Sequence, residues 1–383
     1  MGKVAILKCD EYEYEKVQDT LLNAISLLGG IDKFIFPGAK VVVKPNLLRK
    51  AAPRQNITTH PFIVRAICTL AKEAGGDVTI AESPGGIYTK AALKAIYDAT
   101  GMTEAAEKSG AKLNYDTDVV EVEFGHGSHI ESLRLIKPVV NADVIISAAK
   151  LKTHSMMGYT GAVKNMYGAV PGVTKAEYHF RMKDKDRFAD MLIDLYEFIH
   201  PSLSIIDAIW GMEGEGPAAG DPVKIGALMA SDDAVSLDLA ATHMVGMDAG
   251  YVPVLKRAIK RSICLSDISN IEFLGDAIDN FKCKIKTPVS LQQELIKGYV
   301  PGFLEGFADR CLALYPAFDK DKCISCMICK DNCPAGAIRV VNSKPKLSKK
   351  SCIQCYCCHE LCPKKAIKIK RPWIFSTAEK LFK

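Results

Sequence analysis

No stretch of this 383-residue sequence stays apolar for the ~18 residues that a membrane-spanning helix needs. The most apolar segment, 139–149, is interrupted by Asn141 and Asp143. The first ten residues already contain a cysteine and an acid, so a signal peptide is not predicted. Ile6 stands where N-myristoylation needs Ser or Thr. We therefore expect a cytoplasmic protein without a membrane span.

Two ligand-binding signals are also missing. The glycine-rich strand end at 82–86 contains no G-x-G-x-x-G, so a nicotinamide site is not predicted. Residues 319–383 are basic, with 15 Lys and Arg against five Asp and Glu, but no recognised nucleic-acid-binding motif accompanies them. Thiolate-bound iron–sulfur clusters carry negative charge that such lysines would offset. We expect no nucleic-acid partner.

The 14 cysteines are distributed unevenly. Nine lie between Cys323 and Cys362, whereas five are scattered singly. Disulfide frameworks belong to small secreted domains, and tight repeated spacing in a cytosolic chain indicates metal. The scattered cysteines are expected to be small buried side chains: Cys9, Cys68, Cys264, Cys283 and Cys311.

The clustered cysteines form the pattern C-x2-C-x2-C-x3-C-P twice. In this pattern three cysteines hold one [4Fe-4S] cluster, and the fourth, before proline, ligates the other cluster. Two clusters are therefore predicted, one held by Cys323, Cys326, Cys329 and Cys362, and the other by Cys352, Cys355, Cys358 and Cys333. Cys357 falls outside the pattern and is predicted not to be a ligand.

Zinc is the alternative metal, since paired C-x2-C units also build zinc sites. A zinc ribbon uses four ligands and would not account for the doubled pattern. Residues 319–370 resemble the bacterial two-cluster ferredoxin family. Ala337-Ile338 and Ala366-Ile367 are equivalent in the two halves and are expected to pack over the clusters.

The first ~260 residues alternate between strand-like and helix-like runs, which predicts an α/β domain with a mostly parallel sheet covered by helices. We assign 1–299 to this domain, 300–318 to a connecting segment with an amphipathic part at 303–314, 319–370 to a small α+β ferredoxin-like domain, and 371–383 to a tail.

Polar motifs follow several predicted strands of the large domain. They include Lys44-Pro45-Asn46, Lys152-x-His154, Gly161-Ala162-x-Lys164-Asn165 and Glu213-x-Glu215-Gly216-Pro217. With these motifs, residues of about 38–245 resemble a widespread uncharacterised family, domain of unknown function 362, which is often fused to a two-cluster ferredoxin module. The resemblance implies this architecture but names no reaction.

The chemistry of these residues suggests an anion-binding pocket. Ligands bind beyond the carboxyl ends of strands in such sheets. Gly158 and Gly161 lead into a helix whose free N–H groups could hold an anion. We expect Lys44, Asn46, Lys152 and Asn165 to bind a ligand, and His154, Lys164, Asp207 and Glu213 to act in catalysis. The alternative is that these are capping, surface and structural groups.

The segment from His154 through Gly158-Tyr-Thr-Gly-Ala to Lys164 is also similar to a stretch of the lactate racemase family. There a histidine transfers protons and a lysine contacts a nickel-pincer cofactor. The similarity covers about a dozen residues and is taken as a hint of shared fold, not of nickel. For the Glu213 and Glu215 loop, a hard cation, proton transfer or a solvated turn are open alternatives.

The leading hypothesis is an iron–sulfur oxidoreductase whose two clusters pass electrons to or from a site in the large domain, with a redox partner protein and an anionic small molecule as expected partners. A non-catalytic electron carrier and a non-redox acid–base enzyme are the alternatives. The sequence identifies no further cofactor for the large domain.

Overall fold

The computed structural model describes residues 2–125, 129–264, 267–297 and 311–370. Its centre is a nine-stranded sheet in the order β11-β1-β10-β9-β7-β2-β3-β4, with β8 paired to β7. A separate hairpin is formed by β5 and β6. The strands are β1 (Gly2–Lys8), β2 (Lys40–Pro45), β3 (Asp77–Ile80), β4 (Lys112–Leu113), β5 (Val119–Glu123), β6 (Ser132–Ile136), β7 (Val144–His154), β8 (Gly158–Thr160), β9 (Leu203–Glu213), β10 (Asp221–Ser231) and β11 (Ile271–Gly275).

Helices cover both faces of this sheet. They are α1 (Tyr14–Leu27), α2 (Pro61–Glu73), α3 (Lys90–Thr100), α4 (Met102–Ser109), α5 (Lys137–Val140), α6 (Ala162–Asn165), α7 (Gly172–Arg181), α8 (Lys185–Ile199), α9 (Ala234–Met244), α10 (Pro253–Lys260) and α11 (Val289–Lys297). The first four contribute to one apolar core, and α5 to α11 contribute to the other. Consecutive residues of a strand point to opposite faces, so Val42 lies in one core and Val41 and Val43 in the other.

The sheet is mostly parallel, as predicted. Five strand pairs are parallel: β1–β11, β2–β3, β2–β7, β3–β4 and β7–β9. The pairs β1–β10, β9–β10 and β7–β8 are antiparallel. Strand β7 is buried along its whole length between β2 and β9, and its carboxyl end carries the Lys152-x-His154 motif.

The C-terminal part contains two small antiparallel sheets and two short helices. Strand β12 (Tyr315–Phe318) pairs with β15 (Ile367–Lys370), and β13 (Ile338–Val341) pairs with β14 (Lys344–Leu347). The helices are Ile328–Asp331 and Cys357–Leu361. Strand β12 lies within the predicted connecting segment and pairs with β15 of the predicted ferredoxin-like domain. Residues 300–310 of the predicted connecting segment and the tail 371–383 lie outside the described residues.

The two parts of the chain are in direct contact. Leu361 packs against Gly85, where an added Cβ would meet the leucine side chain at 2.9 Å. Lys365 donates a hydrogen bond to the carbonyl of Gly220 at 3.1 Å, and Tyr356 donates to the carbonyl of Leu314. In the described part of the chain, no helix is both long enough and apolar enough to cross a membrane.

Candidate functional site

The two cysteine motifs adopt the same backbone conformation. Each second cysteine is flanked by two residues with positive φ, Ser325 and Met327 in the first motif and Gln354 and Tyr356 in the second. Left-handed conformations are uncommon outside glycine. Their recurrence at equivalent positions shows that the internal repeat of the sequence is also a repeat of structure.

The thiols of the two motifs lie close together, and their division between two clusters stays a prediction. Burial raises the pKa of Cys329 to about 11, and so do the nearby thiols of Cys326, Cys362 and Cys323. Cys358 is likewise buried, near Cys355, Cys352 and Cys333 and also near Cys329 of the first motif. The thiols are neighbours without converging on one point: among the described residues, no three His, Cys, Asp or Glu side chains stand close enough to hold a single metal ion.

Backbone N–H groups already point at the two cysteines that precede proline. The N–H of Ala337 donates to Cys333 Sγ and that of Ala366 to Cys362 Sγ, both at 3.2 Å. Ile338 and Ile367 are buried against Cys358, and Cys329, Cys333 and Cys362 adjoin them. This confirms the expected apolar packing, and the donor set fits [4Fe-4S] clusters, which thiolates hold and N–H···S bonds tune.

One face of β7 carries three basic residues near its carboxyl end. They are Lys150, Lys152 and His154, which are two residues apart along the strand and therefore lie on the same side of it. Lys150 Nζ donates to Asp207 at 3.0 Å and to the Tyr12 hydroxyl at 2.6 Å. Asp207 also accepts from the Tyr12 hydroxyl and from the backbone N–H of His60. Asp207 is therefore held in a buried pair with Lys150, apart from the other predicted catalytic residues.

The positive charge of Lys152, the second of the three, is compensated less completely than that of Lys150. Its ammonium donates to Asn46 Oδ1 at 2.6 Å and to the carbonyl of Ile57 at 2.8 Å, but no carboxylate of the described residues pairs with it. Burial lowers its pKa well below the usual value, and the charge of Lys164 lowers it further. The next strand supplies a matched pair, in which buried Lys44 contacts Glu82 and donates to Asn165 Oδ1 at 3.1 Å.

His154, the third, ends β7 and faces the C-terminal domain. Its Nδ1 accepts hydrogen bonds from the backbone N–H groups of Met156 and Met157. Burial lowers the pKa of His154 well below 6.5, and so does the charge of Lys164, which keeps the ring neutral with its proton on Nε2. Nε2 lies 3.2 Å from Oε1 of Glu360, at an angle outside that of a hydrogen bond.

The start of α6 is not open to an anionic ligand, so that expectation is wrong. The carboxylate of Asp238 accepts from the N–H groups of Ala162 and Val163 at 2.7 and 3.0 Å, and from the Tyr159 hydroxyl. Gly161 is needed here because a Cβ would collide with Asp238 and Tyr159. Burial raises the pKa of Asp238 to about 7 despite these donors.

A cavity of about 90 Å³ lies where the strand ends meet the C-terminal domain. Its large-domain wall includes Ser83, Lys164, Lys175 and His179, and its other wall is formed by Cys357, Glu360 and Leu361. Burial lowers the pKa of Lys175 to about 7, although its ammonium donates to the carbonyls of Ser83 and Val170. Burial lowers the pKa of Lys164 as well, against the opposite effect of Glu360.

The predicted residues are thus only partly brought together. Lys44, Asn46, Lys152 and Asn165 form one hydrogen-bonded network, and Asn46, Asn165 and Lys164 line the cavity. Glu213 instead holds the backbone N–H and ammonium of Lys286, and although burial raises its pKa, these bonds give a net lowering. Glu215 accepts from the Ser155 hydroxyl and the Val289 N–H. The catalytic roles predicted for this set stay predictions: His154, Lys164, Asp207 and Glu213.

Several residues of this region were missed by reasoning from sequence. Lys150 could have been found, because the alternation Lys150, Lys152, His154 places it on the same strand face. Lys175 and His179 sit on α7 without a recognisable motif. Glu360 lies inside the second cysteine motif, where nothing in the sequence indicates that it faces another domain.

Comparison with known proteins agrees with this architecture. Residues 41–243 match the domain of unknown function DUF362, and residues 316–339 match a 4Fe-4S binding domain. The chain is 36% identical over 260 residues to the thylakoid-associated protein sll1697 of Synechocystis, covering 66% of this chain and 77% of that protein.

A solved structure, the lactate racemase apoprotein from Thermoanaerobacterium thermosaccharolyticum, superposes with a TM-score of 0.39 at 14% identity. The superposition covers 64% of this chain and only 57% of that chain. A likeness at this level assigns neither a fold nor a reaction.

Proposed function

The chain belongs to the DUF362 family and carries a 4Fe-4S binding domain, and from this premise we propose that it is an iron–sulfur oxidoreductase. It would hold two [4Fe-4S] clusters through the eight cysteines named above and bind a small anionic substrate in the cavity between the domains. The clusters would supply one-electron redox chemistry. We keep the predicted cytoplasmic location, which cell fractionation would test.

One observation carries the proposal. The helix Cys357–Leu361 forms part of the cavity wall, and the predicted cluster ligand Cys358 belongs to that helix. Cys362 follows the helix directly. A molecule in the cavity would therefore lie against the peptide segment that holds cysteines of both sets. Binding and redox groups so close together favour an enzyme over a protein with purely structural clusters.

The two cysteine motifs differ in exposure, which supports a direction for electron entry. In the first motif Cys326 is exposed, and Ile324 is 57% exposed. In the second motif Cys355, Cys357 and Cys358 are buried. Residues 319–370 carry 12 Lys and Arg against four Asp and Glu. An acidic electron-carrier protein docking on the first motif is the partner that these features favour.

The side chains of the large domain would bind and orient the substrate. Lys164 is the cavity cation that makes no hydrogen bond or ion pair within the described part of the chain, and it lies over the Tyr167 ring at 5.8 Å. It would anchor an anionic group. The neutral His154 holds its proton on Nε2, toward the Glu360 side of the interface. Lys44 and Glu82 compensate each other and would fix the cavity wall.

The first experiment measures metal content. Protein purified without oxygen should contain about eight irons and show a cubane signal on reduction. Cys357→Ala should keep this iron, whereas Cys358→Ala should lose about four irons, because only the latter removes a predicted ligand. Stoichiometric zinc without iron, or equal iron loss in both variants, would contradict the proposal.

The second experiment tests electron entry. Reduced flavodoxin, an acidic carrier, should reduce the oxidised protein at a rate that falls as ionic strength rises. Ile324→Glu should slow this transfer, and Phe36→Glu, at an equally exposed position of the large domain, should not. If neither variant changes the rate, the first motif is not the docking surface. Unchanged substrate turnover in His154→Ala and Lys164→Ala would favour an electron carrier or place the substrate site elsewhere.

A further inference from the structure

Three buried polar atoms without a hydrogen-bond partner line the cavity between the domains. Ser83 Oγ, His179 Nδ1 and Glu360 Oε1 have no hydrogen-bond partner in the described structure, and all three residues line this cavity. Ser83 is fully buried and His179 is 5% exposed. A buried polar group without a hydrogen-bond partner destabilises the protein. Three such atoms around one space are best explained by a ligand that satisfies them.

The cavity also holds two opposite charges that do not pair with each other. Lys164 comes from α6 of the large domain, and Glu360 comes from the C-terminal domain. No ion pair forms between them among the described residues, and Glu360 Oε1 instead lies 3.2 Å from His154 Nε2. Lys175, which also lines the cavity, is occupied by two carbonyls, and the lining residue Glu82 is paired with Lys44.

We propose that this cavity binds an organic carboxylate that also carries a hydroxyl or amino group, with its carboxylate on Lys164 and its donor group on Glu360. Ser83 and His179 complete the hydrogen bonds of the ligand. This inference rests on the proposed function for its location and adds the class of substrate.

The charges in the cavity select against other ligands. A phosphate ester would bring two negative charges near Glu82 and Glu360, with one unpaired ammonium to receive them. A neutral ligand would leave Lys164 without a counter-charge. A simple carboxylate would satisfy Lys164 and leave Glu360 Oε1 unpaired, which is the state that a hydroxyl or ammonium on the ligand corrects.

The experiment is calorimetric binding to iron-loaded protein, without turnover, using matched small acids. The probes are mandelate, phenylglycine, phenylacetate and mandelamide, with glycolate, glycine and acetate as smaller counterparts. Mandelate or phenylglycine, or their smaller counterparts, should bind at least tenfold more tightly than the plain acid and the amide. Comparing the affinities of the hydroxy acids and the amino acids shows which donor group the site prefers. The proposal is wrong if none of the acids shows saturable binding. It is also wrong if mandelate binds no better than phenylacetate and the smaller acids likewise bind with equal affinity.

Variants assign the two contacts. Lys164→Met should weaken binding of the preferred acid at least tenfold, and Lys72→Met, an exposed lysine on α2, should not. Glu360→Leu should abolish the preference over the plain acid while the plain acid still binds. Iron is measured on every sample. If the protein has its full iron content and does not bind the acids, only this inference is wrong. If the protein contains no iron, the proposed function itself is wrong.

Discussion

The pair of Lys150 and Asp207 gives the sharpest test of the structure, because both side chains are completely buried. Asp207→Asn removes the negative charge and leaves the ammonium of Lys150 without a counter-ion. The new amide group would also face N–H and O–H donors, since the carboxylate accepts from the Tyr12 hydroxyl and the His60 N–H. Breaking one partner of a buried ion pair costs about 3–5 kcal/mol.

That loss is large against the ~5–15 kcal/mol by which domains are usually stable. It can be measured by urea unfolding, followed by the fluorescence of Trp210, which lies on β9 three residues beyond Asp207. The sequence has two tryptophans, so Trp373→Phe provides a background in which Trp210 reports alone.

Two comparisons separate a buried pair from a general effect of charge. Asp98→Asn breaks the exposed pair with Lys94 and should leave the urea midpoint unchanged. Lys150→Met combined with Asp207→Leu should be much more stable than Asp207→Asn, because apolar replacement of both partners removes the uncompensated charge. If Asp207→Asn unfolds within about 0.5 kcal/mol of the parent, the usual range for surface substitutions, the buried pair is refuted.

Two further predictions use the same unfolding assay. Gly168→Ala should destabilise by about 1–3 kcal/mol, because its Cβ would collide with Glu82 and Lys44, whereas Gly125→Ala has open space and should be neutral. Burial lowers the pKa of His179 to about 3, below the unfolded value of about 6.5, so the unfolded chain binds more protons between these values and stability falls as pH falls. Between pH 7 and pH 5, the free energy of unfolding of His179→Phe should therefore fall by up to about 2 kcal/mol less than that of the parent. An equal fall in both proteins would contradict this.

The fold could be predicted where local pattern decides the structure. The apolar run Val41–Val43 is buried on both faces, and Pro61 begins α2 where the sequence places it. The direction of β10 could not be predicted as well, because the sequence predicts strands at 203–210 and 224–230, and the gap between these ranges leaves the direction of the second strand open. The actual strands β9 and β10 extend to Glu213 and from Asp221, which leaves a connection too short for a parallel crossover.

The candidate site, like the fold, could be predicted from the sequence only in part. The cluster cysteines are close in sequence, so their spacing is sufficient to group them. The partner of Lys150 depends on the parallel register of β7 and β9, which places Lys150 beside Asp207. Asp238 reaches Ala162 across 76 residues and fills the helix start that the sequence left open. Pairings of this kind depend on tertiary packing, which the local pattern does not specify.

Lys164 differs from the other buried lysines of the strand ends, and stability measurements can show whether this difference is functional. Lys152 supplies the donors for Asn46 Oδ1 and the Ile57 carbonyl, so Lys152→Met should leave both unpaired and cost about 1–3 kcal/mol. Lys164 makes no such bonds within the described residues, and its pKa is lowered by burial. Lys164→Met should therefore raise the urea midpoint while it weakens carboxylate binding, because residues kept for binding are often not the most stable choice. A Lys164→Met variant that unfolds as easily as Lys152→Met would show that Lys164 is structural.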